Sequence, residues 1–493
     1  MRTRIVFISS LLFLLSACGA GDGGNGSGSG AMGTPSGSVN GPQTPRFFAA
    51  DDGVHGTELW KTDGTSAGTV MVKDINMDGA SSYPAGFTEL NGAVYFQATD
   101  GVTGVELWKT DGTAEGTVLV KDINTGGVQS GAGSGPQGFT LYKGELYFTA
   151  NNGVRANGYE LWKTDGTAAG TVMVKDVNIY GGFGFPSNFI VFNDTLYFSA
   201  DDGRNGAELW KSDGTAEGTT LLKDINTTGM NASSTPRDFV IFNGALYFEA
   251  DSLRTSPAPS GQAELWRTDG TSDGTVLVKT ISSSVDGHET DLHNFTVFNG
   301  ELYFSASQGS SGYQPWKTDG TTEGTVVLKD LRALYETREP SVAFMPFNGE
   351  LYFSAYDGAY GNELMKTNGT ESGTVLVKDI NPTAETASSS QGSSFPAQFI
   401  VFNDALYFQA NDGVQGTELW KTDGTAVGTI LLKDIKTAGA SSNPAKFSIV
   451  NGVLYFKADD GVNGLELWKT DGTTNGTQLL KDICPGACAG VAN

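Results

Sequence analysis

The sequence predicts an all-β protein, a β-propeller of four-stranded antiparallel blades, and three observations carry that prediction. The first is an octapeptide, Glu58-Leu59-Trp60-Lys61-Thr62-Asp63-Gly64-Thr65, near copies of which recur along the chain. All eight tryptophans occupy its third position (Trp60, Trp108, Trp162, Trp210, Trp266, Trp316, Trp420, Trp468), and Met365 takes that place in a ninth copy. The second is spacing: successive copies lie 48 to 56 residues apart, the length of one propeller blade. The third is composition, since 68 glycines and only 17% charged residues among 493 describe short strands and tight turns.

Within one period the strands follow in order. Phe87-Thr88-Glu89-Leu90 and Ala93-Val94-Tyr95-Phe96 flank Asn91-Gly92, a strong hairpin signal because both turn residues tolerate positive φ. These are strands A and B. Strand C is Glu106-Leu107-Trp108-Lys109-Thr110, Asp111-Gly112-Thr113 turns the chain, and Thr117 to Ile123 is strand D. Two hairpins make one blade, and a blade with two apolar faces must stack on neighbours until the ring closes. A β-solenoid is the competing architecture, but its coils are typically shorter and seldom carry two tight hairpins. Nine C strands but eight clear A strands can be counted, because the first unit opens at Arg46-Phe47-Phe48. Nine blades are expected, with eight plus a remnant as the alternative. The missing inner strand falls either near Ser38-Val39-Asn40-Gly41 or after Ile483.

The N-terminus carries an address. Arg2 and Arg4 precede an apolar run, Ile5 to Leu15, which reads as a signal peptide over residues 1–17. Residues 18–45 are almost entirely Gly, Ser, Asn, Pro and Thr and predict a flexible tether, spanning on the order of 30 Å. The propeller is expected over 46–483, and 484–493 forms a tail containing Cys484-Pro485-Gly486-Ala487-Cys488, which in an oxidising compartment forms a small disulfide.

The run Leu15-Ser16-Ala17-Cys18 resembles the lipobox of bacterial lipoproteins, which implies that Cys18 is lipidated. Gly19 stands where Asp would retain such a protein at the inner membrane, so the resemblance implies an outer-membrane lipoprotein, facing the periplasm or the cell surface. The repeat itself resembles the bacterial family with the pattern Glu-Leu-Trp-x-x-Asp-Gly-Thr, and the blade plan is similar to kelch-type propellers. Ala98, Asp100, Thr103, Gly104 and Trp108 are similar to the tryptophan-docking motif of quinoprotein propellers, which implies indoles lodged between blades. The chemistry agrees, since an indole carries on the order of 150 to 250 Å² of apolar surface. The Asp-Gly-Thr turns resemble the Asp-box of sialidase-type propellers, although Asp and Gly are adjacent here. Asp63 and its equivalents read as local turn-formers.

Antiparallel order puts the A–B and C–D turns at one end of the ring and the B–C and D–A loops at the other. The first end is uniform. The second carries the length changes, such as Asp251 to Ala263 and Asn381 to Gln398, and is the expected binding face. It also carries His55, His288, Glu289, Asp291 and His293. Two histidines with carboxylates suit a divalent ion, but their irregular spacing favours a solvated loop, and no metal is assigned. The Asp51-Asp52-Gly53, Asp201-Asp202-Gly203 and Asp459-Asp460-Gly461 turns suit Ca²⁺ only loosely, because they lack the alternating oxygen run of a dedicated loop. Copies five to seven depart from the pattern at Thr280, Gln314-Pro315, Met365 and Asn368, beside the insert Leu331 to Glu336.

A formal charge of −24 argues against nucleic acid and anionic lipid as partners. No nucleophile elbow, zincin motif or phosphate loop is present. The expectation is a monomeric, membrane-tethered, non-catalytic propeller that binds an envelope or extracellular protein or glycan through its variable face. The alternative is an extracytoplasmic hydrolase or lyase acting on a polysaccharide, which requires unrepeated acid, base or Arg groups converging at the ring mouth.

Overall fold

The computed structural model describes residues 46–125, 133–154, 158–253, 262–283, 291–307, 313–331, 343–356, 360–382, 392–486 and 489–491. These residues form nine antiparallel sheets, each with its strands in sequence order. Eight have four strands and the first has three. Together they make a nine-bladed propeller, and no helix occurs among the described residues.

The second blade shows how the sequence makes each unit. Strand A (Ala85–Leu90) and strand B (Ala93–Thr99) meet at a turn in which Asn91 and Gly92 have φ of 52° and 80°. Both strands are longer than the sequence pattern suggests. A bulge between Ala85 and Thr88 extends strand A, and strand B continues until Thr99 opposes Val105 of strand C (Val105–Thr110). Strand D is shorter than expected, Val118–Lys121. Its continuation leaves the ladder because Ile123 donates its N–H to the buried Glu106 carboxylate at 3.0 Å.

That glutamate, first residue of the repeated motif, fastens the end of strand D to the connector that leads into the next blade. Glu106 also accepts from Ser134 N–H at 2.8 Å and from Ser134 Oγ at 2.5 Å. Glu58, Glu208, Glu363 and Glu418 hold Ser82, Ser234, Ser394 and Ser442 in the same way. In the C–D turn, Asp63 Oδ1 accepts from Thr65 N–H and Thr65 Oγ, each at 2.8 Å. Gly166, at φ 95°, occupies the same turn in the third blade. A Cβ there would lie 2.1 Å from Tyr95 Oη of the preceding blade, so only glycine satisfies both the turn and the neighbour.

Blades are joined by the rest of the motif. Trp108 packs with Phe96 and Ala98 of its own blade and with Leu59, Val72 and Ile75 of the blade before. At about 25 cal/mol per Å², an indole's burial is worth roughly 4 to 6 kcal/mol at each boundary. Only Trp266 donates its N–H to a protein acceptor, Glu264 at 3.0 Å. The other seven indole nitrogens are buried with no hydrogen-bond partner among the described residues, so apolar packing rather than a hydrogen bond seats them. The lysines complete the joint. Lys61 Nζ reaches Gly112 O of the next blade at 2.7 Å, and Lys73 Nζ reaches Thr117 O at 2.8 Å.

The same contacts close the ring. Lys481 Nζ donates to Thr69 O at 2.6 Å and lies 5.7 Å from the Trp60 ring, while Trp60 packs against Ile483. The missing connector is supplied by the far end of the chain. Val491 N–H bonds Leu465 O at 3.1 Å and Asp51 N–H bonds Gly490 O at 3.0 Å, the places that Ser82 fills between Thr57 and Thr99. Residues after Ile483 therefore enter the ring rather than trailing from it. No strand A of the first blade is present among the described residues, which leaves Phe47 and Phe48 half-buried where Tyr95 and Phe96 are fully covered. Cys484 is disulfide-bonded, and Cys488 lies outside the described residues.

Two outcomes follow from this construction. Trp108→Ala should destabilise the protein by about 3 to 5 kcal/mol, read as a lowered denaturant midpoint, because it empties a boundary that cannot collapse. Burial pushes the carboxyls of Glu160, Glu208, Glu363 and Glu466 up to about 7. Their folded-state values exceed the unfolded one of about 4.3, so their contribution is complete below that pH and is lost as pH rises through about 7. The thermal midpoint should accordingly fall by roughly a few °C between pH 6 and pH 8, and four Glu→Gln changes at these positions should flatten that slope.

Candidate active site at the ring mouth

Strands A of neighbouring blades touch one another across the blade boundaries, which makes them the innermost ring. Each starts at the end of the ring that carries the D–A and B–C loops. Three positions gather at that mouth in the blades whose strand A is described in full: the first residue of strand A, the second, and the strand B residue paired with the first. In the second blade they are Ala85, Gly86 and Gln97, in the third Gln137, Gly138 and Thr149, in the fourth Ser187, Asn188 and Ser199. The eighth has Ala397, Gln398 and Gln409. All are uncharged.

The pattern breaks at the fifth and sixth blades. The fifth places Arg237, Asp238 and Glu249 at these positions, and the sixth, whose strand A begins one residue earlier at Leu292, places His293, Asn294 and Ser305 at the equivalent ones. Asp238 sits in the strand A bulge at φ 56°, a left-handed conformation that Asp and Asn adopt more readily than other side chains. Four blades beyond the fifth, the ninth carries Lys446 in the same bulge and Lys457 beside it. Burial lowers the pKa of Lys457, and the nearby charge of Lys446 adds to that.

The charged groups of blades five and six converge. Arg237 forks onto Glu249, Nε to Oε2 at 2.9 Å and Nη2 to Oε1 at 2.8 Å, and Glu249 is only 2% exposed. His293 lies between two carboxylates, Nδ1 3.0 Å from Asp238 Oδ2 and Nε2 3.0 Å from Asp291 Oδ2. Tyr313, which opens strand C of the sixth blade, donates its hydroxyl to Asp291 Oδ1 at 2.5 Å. Asp238, Glu249 and His293 bring one ligand atom each within 4.8 Å of one another.

Electrostatics reflects this crowding. Burial pushes Glu249 up to about 7 against the opposing charge of Arg237. Burial disfavours the charged form of His293, but its hydrogen bonds to Asp238 and Asp291 outweigh that and raise it to about 10. Burial likewise raises the Asp291 carboxyl, yet the bonds from His293 and Tyr313 prevail and hold it below its ordinary value. The arrangement supplies a carboxylate open to the mouth, a clamped imidazole and a buried Arg–Glu pair. These are the components of acid–base chemistry.

The residues singled out in the sequence are scattered otherwise. His55 pairs with Asp52 at 2.7 Å within the first B–C loop, where Asp52 Oδ1 also accepts from Val54 and His55 N–H. Asp202 spends Oδ1 on Arg204 and Asn205 N–H in the same fashion. His288, Glu289 and Cys18 lie outside the described residues. Asp291 and His293 were expected in a solvated loop, and that is corrected: His293 lies inside strand A of the sixth blade (Leu292–Phe298) and Asp291 directly before it. Pairing with strand B and the contact with Asp238 of the fifth blade half-bury His293, and Asp291 is half-buried against His293 and Tyr313. Arg237, Asp238, Glu249 and Tyr313 were missed. The available signal was the residue after each Tyr-Phe of strand B, uncharged in most copies (Gln97, Thr149, Ser199, Ser305, Ser354, Gln409) but Glu249 in the fifth.

No family model matches the chain, and no curated protein does. Among solved structures it is similar to one from a study of two prolyl endopeptidases, at 11% identity and a TM-score of 0.36, covering 70% of this chain and 49% of that one. It is also similar to puromycin hydrolase, at 13% identity and 0.35, covering 83% and 62%. A puromycin-hydrolyzing peptidase of Mycobacterium tuberculosis matches at 11% and 0.39, covering 90% and 58%. The chain spans about half to three-fifths of the length of these proteins, and the likeness concerns the fold alone. The expectation of a non-catalytic binding propeller is nevertheless corrected. The unrepeated acid, base and Arg groups that the catalytic alternative required do converge at the mouth.

The Arg237–Glu249 pair gives a direct test of how tightly this site is built. Arg237→Ala strands a buried carboxylate and should cost about 3 to 5 kcal/mol in chemical denaturation. Adding Glu249→Gln should recover most of that loss, since a neutral amide needs no counter-charge.

Proposed function

We propose that the protein is an extracytoplasmic, membrane-tethered enzyme whose acid–base centre is the charged cluster between blades five and six. The observation that carries this reading is the convergence of Arg237, Asp238, Glu249, Asp291 and His293 at one place on a ring that is otherwise repetitive. A ring held together by its repeat needs no such group. The address comes from the signal-like N-terminus, from the resemblance to the bacterial Glu-Leu-Trp-x-x-Asp-Gly-Thr lipoproteins, and from Cys18 as the lipidated residue.

The chemistry is hydrolytic. Asp238, the most exposed carboxylate of the cluster, takes a proton from water as that water attacks, and His293 donates a proton to the departing group. Asp291, itself held by Tyr313, fixes the imidazole, and the Arg237–Glu249 fork fixes the strand that carries Asp238. Asp291, Arg237 and Glu249 are positioning residues.

The full chain should hydrolyse at least one class in a chromogenic panel of peptide, ester, phosphoester and glycoside substrates. Asp238→Asn and His293→Asn should each lower kcat/KM by roughly 10²- to 10⁴-fold with the melting temperature little changed. Wild-type rates in both variants, or no turnover of any class, would remove the reading.

A further inference from the structure

We infer that Asp238, Glu249 and His293 form a binding site for one divalent transition-metal ion of the zinc class. The donors are an imidazole nitrogen and two carboxylates, a mixed set that suits zinc better than the all-oxygen shells of calcium or magnesium. They come from three strands of two adjacent blades, strand A and strand B of the fifth and strand A of the sixth, so the ring itself presents them. Their ligand atoms lie within 4.8 Å of one another. Metal–ligand bonds of about 2.0 to 2.2 Å place tetrahedral ligands roughly 3.3 to 3.5 Å apart. The 3.0 Å between His293 Nδ1 and Asp238 Oδ2 is already close to that edge, so an ion could take the place of the proton shared there with small side-chain shifts.

Two features outside the ligand set favour the ion. His293 Nε2 points at Asp291 at 3.0 Å, and Tyr313 holds Asp291 in turn. A metal-binding imidazole commonly donates its second N–H to a carboxylate in this way, which directs the other nitrogen's lone pair at the metal. Charge gives the second. Three carboxyl groups, those of Asp238, Glu249 and Asp291, gather around a single guanidinium, that of Arg237, an excess of acidic oxygens that a divalent ion offsets. Arg237 and the Leu292 N–H both bond the Glu249 carboxylate and compete with the ion for it, but its two oxygens together offer about four acceptor sites. Three protein ligands and a partly exposed Asp238 leave a fourth position open to the mouth, the form of a reactive rather than a structural site.

The inference stands on the ligand set and not on the enzymatic reading: with the ion bound, His293 and Asp238 are ligands and the proton transfers proposed for them no longer apply, so an ion bound without turnover would keep the one and remove the other. Untagged full-length protein, stripped with a chelator, should bind one Zn²⁺ per chain in calorimetry, with Ca²⁺ and Mg²⁺ far weaker. Co²⁺ should give the visible absorption of a tetrahedral site. His293→Asn and Asp238→Asn should each weaken Zn²⁺ by about 10- to 100-fold or more and abolish the Co²⁺ bands, while His55→Asn should leave both unchanged. Because a variant at the blade boundary can lose structure, circular dichroism of each accompanies the titration, and Asp291→Asn, which removes no ligand, should weaken Zn²⁺ less than either. No Zn²⁺ bound by the folded wild type, or binding equal in the folded ligand variants, would overturn the inference and leave the cluster a self-contained ion-pair network.

Discussion

Everything in this molecule depends on the joint between one blade and the next. A four-stranded sheet with two apolar faces cannot stand alone in water, and the repeated octapeptide solves that problem one residue at a time. Leucine and tryptophan supply the packed faces, lysine reaches across to the neighbour's turn, and Asp-Gly-Thr shapes the turn that receives it. The glutamate is buried where a charge is costly, yet it ties the end of strand D to the connector beyond. Each motif residue thus serves either its own hairpin or the adjacent boundary, and the sum over nine boundaries is a closed ring.

A ring fixed so thoroughly by its repeat can carry exceptions at the mouth. The first residues of the A strands are held by connectors on one side and by strand B on the other, so a change of side chain there alters chemistry without altering the frame. Most blades use that freedom for small or amide side chains. The fifth and sixth use it for four ionisable groups, with Asp291 directly before them, and the ninth for two lysines. The fifth blade is also where Thr280 replaces the usual aspartate and Trp266 turns its indole N–H to Glu264. Departures that look like drift one at a time are gathered in one sector.

Much of the fold was legible in the residues. Asn91-Gly92 announces its hairpin because few other pairs tolerate two left-handed residues, and the spacing of the repeated motif, with Met365 in one copy, points to nine blades. Strand ends were less legible: the end of strand D is set by a hydrogen bond from Ile123 to Glu106, residues far apart in sequence. The site was harder still. His293 was visible as a histidine near carboxylates, but its partner Asp238 is 55 residues away in the chain. Arg237 and Glu249 stand in different strands and become a pair only once strand A lies against strand B.

The sequence by itself determined the blade and the turns and favoured nine blades, because those follow from local rules: alternation, turn chemistry and a period long enough for two hairpins. Only the tertiary structure decided how the ring closes, with Gly490 and Val491 supplying the connector to the first blade, and where the charges meet. Both rest on contacts between residues dozens to hundreds of positions apart. A repeat specifies its own copies well. It says nothing of which exceptions become neighbours, because that depends on the register of adjacent sheets and on the curvature that brings the last blade back to the first.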